Sequence, residues 1–431
     1  MMQSEIAAHL AMARPKVLAA LTRRFASLDL AEEAYQEACL RALERWPSGG
    51  VPRDPSAWLL LVGRNATIDR LRRDKRLDFR DELPETGPEP ADVEAVLADW
   101  IDSEELRDDV LRLMFMCCHP DLSLQDQLAL ALKVIGGFST DKIARALVVR
   151  PRAMEQRLTR AKKKAGALVV QLETPTFQER SARLDAVCVM VYLLFNEGYS
   201  ATGGDVHIRS ELCEEAIRLV RLLLSLFPQQ AEVMGLLALC LFQHSRRQAR
   251  IGEDDSLVPL DRQDRSRWNL EEIAEGRVLL EKALRHGRAG PYQIQAAIAA
   301  VHCAAATAES TDWAEIEKLY GVLEQVQPTP VVSLNRAVAL SKVKDAGAGL
   351  EHLAGLSATL DNYLYFHTSR ASLLQEDGQW DAALASYEQA LQLGPTDQEA
   401  EHIHEQMERC RAGKKCDPGV GSGRSRSSLG H

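Results

Sequence analysis

The chain has 431 residues, 46% hydrophobic and 26% charged, a composition that excludes fibrous and largely disordered classes and leaves room for several folded domains. No apolar run approaches the ~20 residues of a membrane span, and no apolar stretch follows a basic segment at the start. A cytoplasmic protein without a membrane partner is therefore expected. The formal net charge of −10 argues against nucleic acid binding only if charge is evenly spread, and it is not.

In chain order, Asp29-Leu30-Ala31-Glu32-Glu33-Ala34-Tyr35-Gln36-Glu37-Ala38 reads as a helix with acidic residues on its exposed side. It continues through Leu40–Trp46 into a Pro/Gly loop at Pro47–Pro55. Pro55–Arg73 forms the next helix, with Leu61, Ile68 and Leu71 facing inward. Asn65, Asp69, Arg72 and Arg73 make its polar edge. Arg64–Arg76 holds six Arg or Lys against two Asp, whereas Asp78–Arg107 holds eleven acidic residues against two Arg. The latter, with its prolines, predicts a flexible acidic linker.

The nine cysteines form no CxxC pair, which predicts reduced thiols. In Cys117-Cys118-His119, adjacent side chains on a helix diverge by about 100°, and no second ligand cluster accompanies them. Neither a metal site nor a cofactor is expected.

Gly137 to Leu147 reads as a short helix capped by Ser139 or Thr140, followed by a turn at Val148–Arg150. Pro151 then opens a second helix, in which Met154, Leu158 and Ala161 form one buried stripe. This is a helix-turn-helix pattern. Arg150–Lys164 carries seven basic residues against one Glu. Arg, Gln and Glu at Arg150, Arg152, Glu155, Gln156 and Arg160 suit base edges, while Arg157 and Lys162–Lys164 suit phosphates. Taken alone, the second helix also fits an amphipathic helix with a solvated basic face.

The rest is helical to about Cys410 and carries a 34-residue period. Ala371, Leu374, Leu384, Tyr387 and Ala390 repeat as Ala337, Leu340, Leu350, Leu353 and Leu356. They repeat again as Cys303, Ala306, Ile316, Leu319 and Val322. This is the period of tetratricopeptide (TPR) repeats, and the last copy resembles that family through Gly378, Ala383, Tyr387, Ala390 and Pro395. An insertion around Arg250–Asn269 accounts for an earlier, out-of-phase copy at Ala216, Val220, Leu223 and Pro228. A generic helical array is the alternative.

The acidic Ala-Glu-x-x-x-Gln-Glu helix, followed by Trp-Leu…Arg-Asn-x-x-x-Asp-Arg-Leu-Arg-Arg, resembles region 2 of the extracytoplasmic-function sigma factors. The helix-turn-helix resembles their region 4. Leu193-Leu194-Phe195-Asn196-Glu197-Gly198-Tyr199 and Asp261–Trp268 resemble a subgroup with a long C-terminal extension. The resemblance implies an all-α fold: two small helical sigma domains, then an α-solenoid of TPR-like helix pairs. The expected divisions are region 2 at 1–77, an acidic linker at 78–107 and region 4 at 108–168. A helical extension at 180–290, TPR-like repeats at 291–410 and a disordered tail at 411–431 follow.

It also implies roles. Glu32, Glu33, Gln36 and Glu37 would dock on core RNA polymerase, whose β′ clamp helices and β flap are the implied partners. Trp58, Asn65, Asp69, Arg70, Arg72 and Arg73 would face the promoter −10 element. Arg150, Arg152, Glu155, Gln156, Arg157 and Arg160 would read the −35 element. Asn196, Glu197 and Tyr199 with Gln263, Asp264, Arg265 and Trp268 would either line a contact surface toward the sigma domains or cap helices. The repeats would hold a protein or peptide partner and regulate the factor. No nucleophile elbow, phosphate loop or HExxH motif is present, so no enzyme is expected. A helix-turn-helix regulator with a TPR-type sensor is the rival reading, although it has no need of the acidic helix or of Trp58–Arg73.

Overall fold

The computed structural model describes residues 2–74, 104–119, 121–147, 149–169, 177–199, 206–250, 252 and 258–416. Among the described residues every regular element is helical and no strand occurs, as the sequence predicts. The chain forms two compact units that divide near residue 222.

The first unit opens with α1 (Met2–Phe25), α2 (Leu28–Gly49) and α3 (Pro55–Asp74), which pack on one another. Ser27 caps α2, its hydroxyl accepting from the Leu30 amide at 3.3 Å. Ala31, Ala34, Tyr35, Ala38, Ala42 and Trp46 form the buried stripe of α2. That helix runs through Pro47, so the expected Pro47–Pro55 loop is shorter than its composition suggests. A proline in the last turn removes one amide donor. Buried Trp46 holds the turn in register while Gly50 N–H closes on the Trp46 carbonyl at 3.0 Å.

Close approach of α2 and α3 depends on Gly63, where a Cβ would sit 2.7 Å from the Ala34 carbonyl oxygen. Gly63→Ala should therefore destabilise the unit by about 1–3 kcal/mol. A thermal melt matching the wild type would show that the two helices can slide apart freely.

Beyond the undescribed stretch come α4 (Glu104–Cys117), α5 (Leu124–Leu130), a π turn at Ala131–Ile135, α6 (Thr140–Ala146) and α7 (Pro151–Val169). Gly137, at φ +72°, makes the left-handed turn into α6. Most of the expected linker, residues 78–103, lies outside the described residues; residues 104–107 belong to α4. Next, α8 (Phe177–Tyr199) packs on α4 and α5, burying Val187, Met190, Val191, Leu194 and Phe195. Arg183 lies over the Phe115 ring, 5.5 Å from its centroid. Most of α9 (Val206–Leu226) belongs to this unit as well.

The second unit is built around α10 (Ala231–His244), buried continuously from Val233 to Phe242 between α11 (Leu270–Leu284) and α12 (Pro291–Ala304). The Glu232 carboxylate accepts from the Tyr292 and Gln293 amides and so caps α12. Between α10 and α11 the chain makes the excursion expected at Arg250–Asn269. Its base is closed by Asn269 N–H donating to the Ser245 carbonyl at 2.9 Å.

There follow α13 (Trp313–Val326), α14 (Pro330–Val343), α15 (Ala346–Ala354), α16 (Ser357–Leu360), α17 (Leu364–Glu376), α18 (Trp380–Gln392) and α19 (Asp397–Cys416). The starts of α14 and α17 lie 34 residues apart, as do those of α15 and α18. In these two copies every repeat position is buried or half-buried. The earliest copy departs from the pattern: Ala306 lies beyond the end of α12, and both it and Val322 are exposed. For Ala306 the cause is spacing, because α12 starts 39 residues before α14; α13 starts 33 residues before α15, which puts Val322 one residue out of step with Leu356. The expected tail at 411–431 begins too early, since α19 continues to Cys416; residues 417–431 lie outside the described residues.

Candidate nucleic-acid interface

Ser139, rather than Thr140, caps α6, accepting from the Lys142 amide at 3.2 Å. Met154, Leu158, Ala161 and Ala165 bury one side of α7 against the preceding helices. That packing turns Arg150, Arg152, Glu155, Gln156 and Arg160 outward, and all five are exposed. They form a continuous basic and amide-bearing face at the start of a rigid helix, suited to a major groove. Arg157 departs from this set. Three residues beyond Met154, it lies at the margin of the buried stripe. It donates to Gln125 Oε1 at 2.6 Å and stands 3.7 Å from Asp126 Oδ1.

On α3, Asn65, Asp69 and Arg70 are exposed along one edge, and Leu71 is buried beneath them. Asn65 Oδ1 accepts from the Arg64 guanidinium. Trp58 is half-buried, its ring edge-to-face with that of Trp46 at 5.4 Å, so it knits α3 to α2. The side chains of Arg72 and Arg73 lie outside the described residues.

The acidic helix α2 divides its charges between two faces. Glu33 and Gln36 are exposed and Glu37 is half-exposed, paired with Arg41 at 3.0 Å. Arg70 reaches across from α3 to Glu33 Oε2 at 2.6 Å, so a −10 candidate and a docking candidate share one surface contact. Sequence reasoning missed Leu40 and Leu43, which are 58% and 48% exposed and continue the Glu33–Gln36 stripe. The spacing 33, 36, 40, 43 was the available signal.

Glu32 corrects the expectation of an exposed acidic face, for it is only 8% exposed. Arg14 of α1 stands 3.5 Å from one carboxylate oxygen, and Lys162 of α7 donates to the other. Arg14 also donates to the Val134 carbonyl at 2.9 Å and the Lys133 carbonyl at 3.2 Å, and lies over the Tyr35 ring. Burial pushes the Tyr35 hydroxyl upward in pKa and the Lys133 ammonium downward. Lys162, expected to face phosphates, is thus turned into the protein, and Lys164 bonds the Asp121 carbonyl; Lys163 alone of the three is exposed without a partner in the described contacts.

Of the extension residues, Asn196 and Tyr199 are half-buried and Glu197 is exposed at the end of α8. Tyr199 stacks on Phe195 at 5.6 Å. Gln263, Asp264, Arg265 and Trp268 belong to the second unit, so the sequence set is split between units. There Asp264 caps a short 3₁₀ turn, and Gln263 donates to the Val258 carbonyl. Arg265 donates to the His302 and Ala305 carbonyls at the end of α12 while lying 4.7 Å over the indole of buried Trp268. Burial, with Arg246 and Arg265 nearby, lowers the His302 pKa to about 4.

No group of three or more His, Cys, Asp or Glu suited to a metal occurs among the described residues. Burial raises the pKa of both Cys117 and Cys118, the latter to about 12, so these thiols stay protonated. No described helix is long and apolar enough to cross a membrane.

Comparison with known families gives this arrangement a class. Residues 10–77 match sigma-70 region 2, residues 112–164 match sigma-70 region 4, and residues 183–284 match a family of unknown function, DUF6596. The chain therefore joins the two promoter-recognition regions of a sigma-70 family factor to a helical extension. Such domains imply core RNA polymerase and promoter DNA as partners. It belongs to one family with a Rhizobium meliloti (strain 1021) protein described as "Uncharacterized protein R00370". The two are 48% identical over 405 residues, covering 94% of this chain and 95% of that one.

Proposed function

We propose that this is an alternative sigma factor of the extracytoplasmic-function type, acting in the cytoplasm and regulated by its own extension. In this reading the outward edge of α3 engages the −10 element and the start of α7 reads the −35 element. The Glu33, Gln36, Leu40 and Leu43 stripe seats on the β′ clamp helices. The observation that carries the proposal is the exposed Arg150, Arg152, Gln156 and Arg160 face on a helix whose opposite side is locked by Met154 and Leu158. The protein lends specificity to polymerase and catalyses nothing itself.

Helix pairs in the second unit support a TPR-like reading. Ala383, Tyr387 and Ala390 are buried down α18, and Tyr387 reaches Gln375 Oε1 at 3.4 Å. Two side-chain pairs span one 34-residue period: Lys342–Glu376 at 2.8 Å and Tyr365–Glu399 at 2.6 Å. Stacked pairs of this kind present a surface for a protein or peptide.

Arg152→Ala or Gln156→Ala should reduce discrimination at the contacted −35 base by about 1–3 kcal/mol. Transcription with core polymerase on a library of −35 variants measures it. An unchanged base preference would move the reading face away from the start of α7.

A further inference from the structure

We infer that the second half of the excursion, residues 258–268, is a built-in ligand of the repeat array, and that its seat fits an extended peptide with arginine three residues before tryptophan. The inference rests on the peptide-surface reading of the repeats and names the chemistry of the partner.

The segment has little regular structure of its own. Its two 3₁₀ turns, Leu260–Arg262 and Arg265–Arg267, span three residues each. Asp261, Arg262, Asp264, Ser266 and Arg267 are exposed. Side chains that reach other elements therefore hold it in place. The Arg265 guanidinium donates to the His302 and Ala305 carbonyls, the latter at 2.7 Å, and lies 3.5 Å from Thr311 Oγ1. Carbonyls at the end of a helix lack amide partners and carry its negative pole, so they form a ready cage for a cation. Trp268 is 5% exposed, with Arg265 4.7 Å and Arg246, just beyond α10, 6.0 Å from its ring centroid.

Other charges of the excursion reach further along the array. Arg250 is felt at Tyr365 of α17, and Asp261 with Arg262 at His402 of α19. α12, α14 and α17 lead successive helix pairs, α14 packs beside α17, and α19 follows the last pair. The excursion thus runs along the layer of leading helices, a surface on which a stacked array can seat a peptide.

Two features make the seat exchangeable. Trp268 Nε1 and Gln263 Oε1 are buried with no hydrogen-bond partner among the described contacts, a cost that release removes. Two like-charged guanidiniums also share one indole. Attachment works the other way. A tethered segment has an effective concentration on the order of millimolar, so it excludes a free peptide of equal affinity at about 10 μM by roughly a hundredfold. A partner succeeds by offering the same arginine and tryptophan with its polar atoms satisfied.

The test uses the full chain and a fluorescein-labelled peptide spanning residues 258–269. Arg265→Glu places a carboxylate against the carbonyl cage and should expel the tethered segment. That variant should bind the peptide at least about tenfold more tightly than wild type. The same peptide with alanine in place of its Arg265 should not bind, a dependence that a merely structural arginine would not produce. A second measurement needs no substitution: unlabelled peptide at about millimolar concentration, matching the tether, should speed amide exchange of residues 258–268 in wild type while α10 and α12 stay protected. Peptide affinity equal to wild type in Arg265→Glu, with wild-type exchange unmoved by the peptide, overturns the built-in ligand and leaves the repeats free to hold a partner elsewhere. Free exchange of the segment in Arg265→Glu with no peptide bound overturns the peptide-surface reading itself.

Discussion

Reversing the charge of Glu33 and Glu37 together, to Lys, should abolish transcription in a reconstituted assay while leaving the fold intact. Both residues lie on the solvent side of α2, and their pairs with Arg70 and Arg41 are surface contacts worth at most about 1 kcal/mol each. Stability should therefore barely change. Docking would suffer far more, because like charges brought together across an interface cost several kcal/mol, a loss of roughly a hundredfold or more in affinity. The stripe supplies an internal comparison: Leu40→Ala and Leu43→Ala should weaken core binding without altering its salt dependence. Full activity of the double charge reversal, with core affinity as in wild type, would detach this face from polymerase.

Ending the chain at Val169 should unfold much of what remains. The cut is tempting, because the matched regions 2 and 4 end at residue 164. It removes α8, whose buried Val187, Met190, Val191, Leu194 and Phe195 rest on α4 and α5. At about 1.5–3 kcal/mol per buried apolar side chain, the loss is on the order of 10 kcal/mol. That equals the whole stability of an ordinary domain. Near-UV circular dichroism and limited proteolysis should show a loosened, readily cleaved product. A truncated chain melting at the wild-type temperature would mean that α8 merely covers a surface complete without it. The extension is on this account part of the fold of the sigma regions before it is a regulator of them.

What the sequence made legible was local. The helix-turn-helix carries its own punctuation, a capping serine, a glycine turn and Pro151, and its stripe at Met154, Leu158 and Ala161 needs no distant partner to be read. The outward face of α7 follows from that stripe. The polarity of Glu32 misled because it sits next to Glu33, and helical periodicity alone separates them by only about 100°. Its burial is decided by Arg14 and Lys162, which are far away in sequence and leave no periodic trace. The inward turn of Arg157 likewise depends on Gln125 and Asp126 in another helix. Pro47 misled in the opposite way, through a residue type that breaks helices in their middle but is tolerated near an end. Repeat positions were legible where the period holds and failed at Ala306, whose helix starts five residues early, and at Val322, whose helix is one residue out of step.

The excursion between α10 and α11 is pinched twice, once by Asn269 on Ser245 and again inside it, where Val258 N–H meets the Arg250 carbonyl at 2.8 Å. Doubling the length of chain between Arg250 and Val258 would add only about 0.6 kcal/mol of closure entropy. Kin of this protein can therefore diverge in length at that spot without disturbing the helices on either side, and an epitope or fluorescent reporter spliced there would ride on the molecule as a passenger.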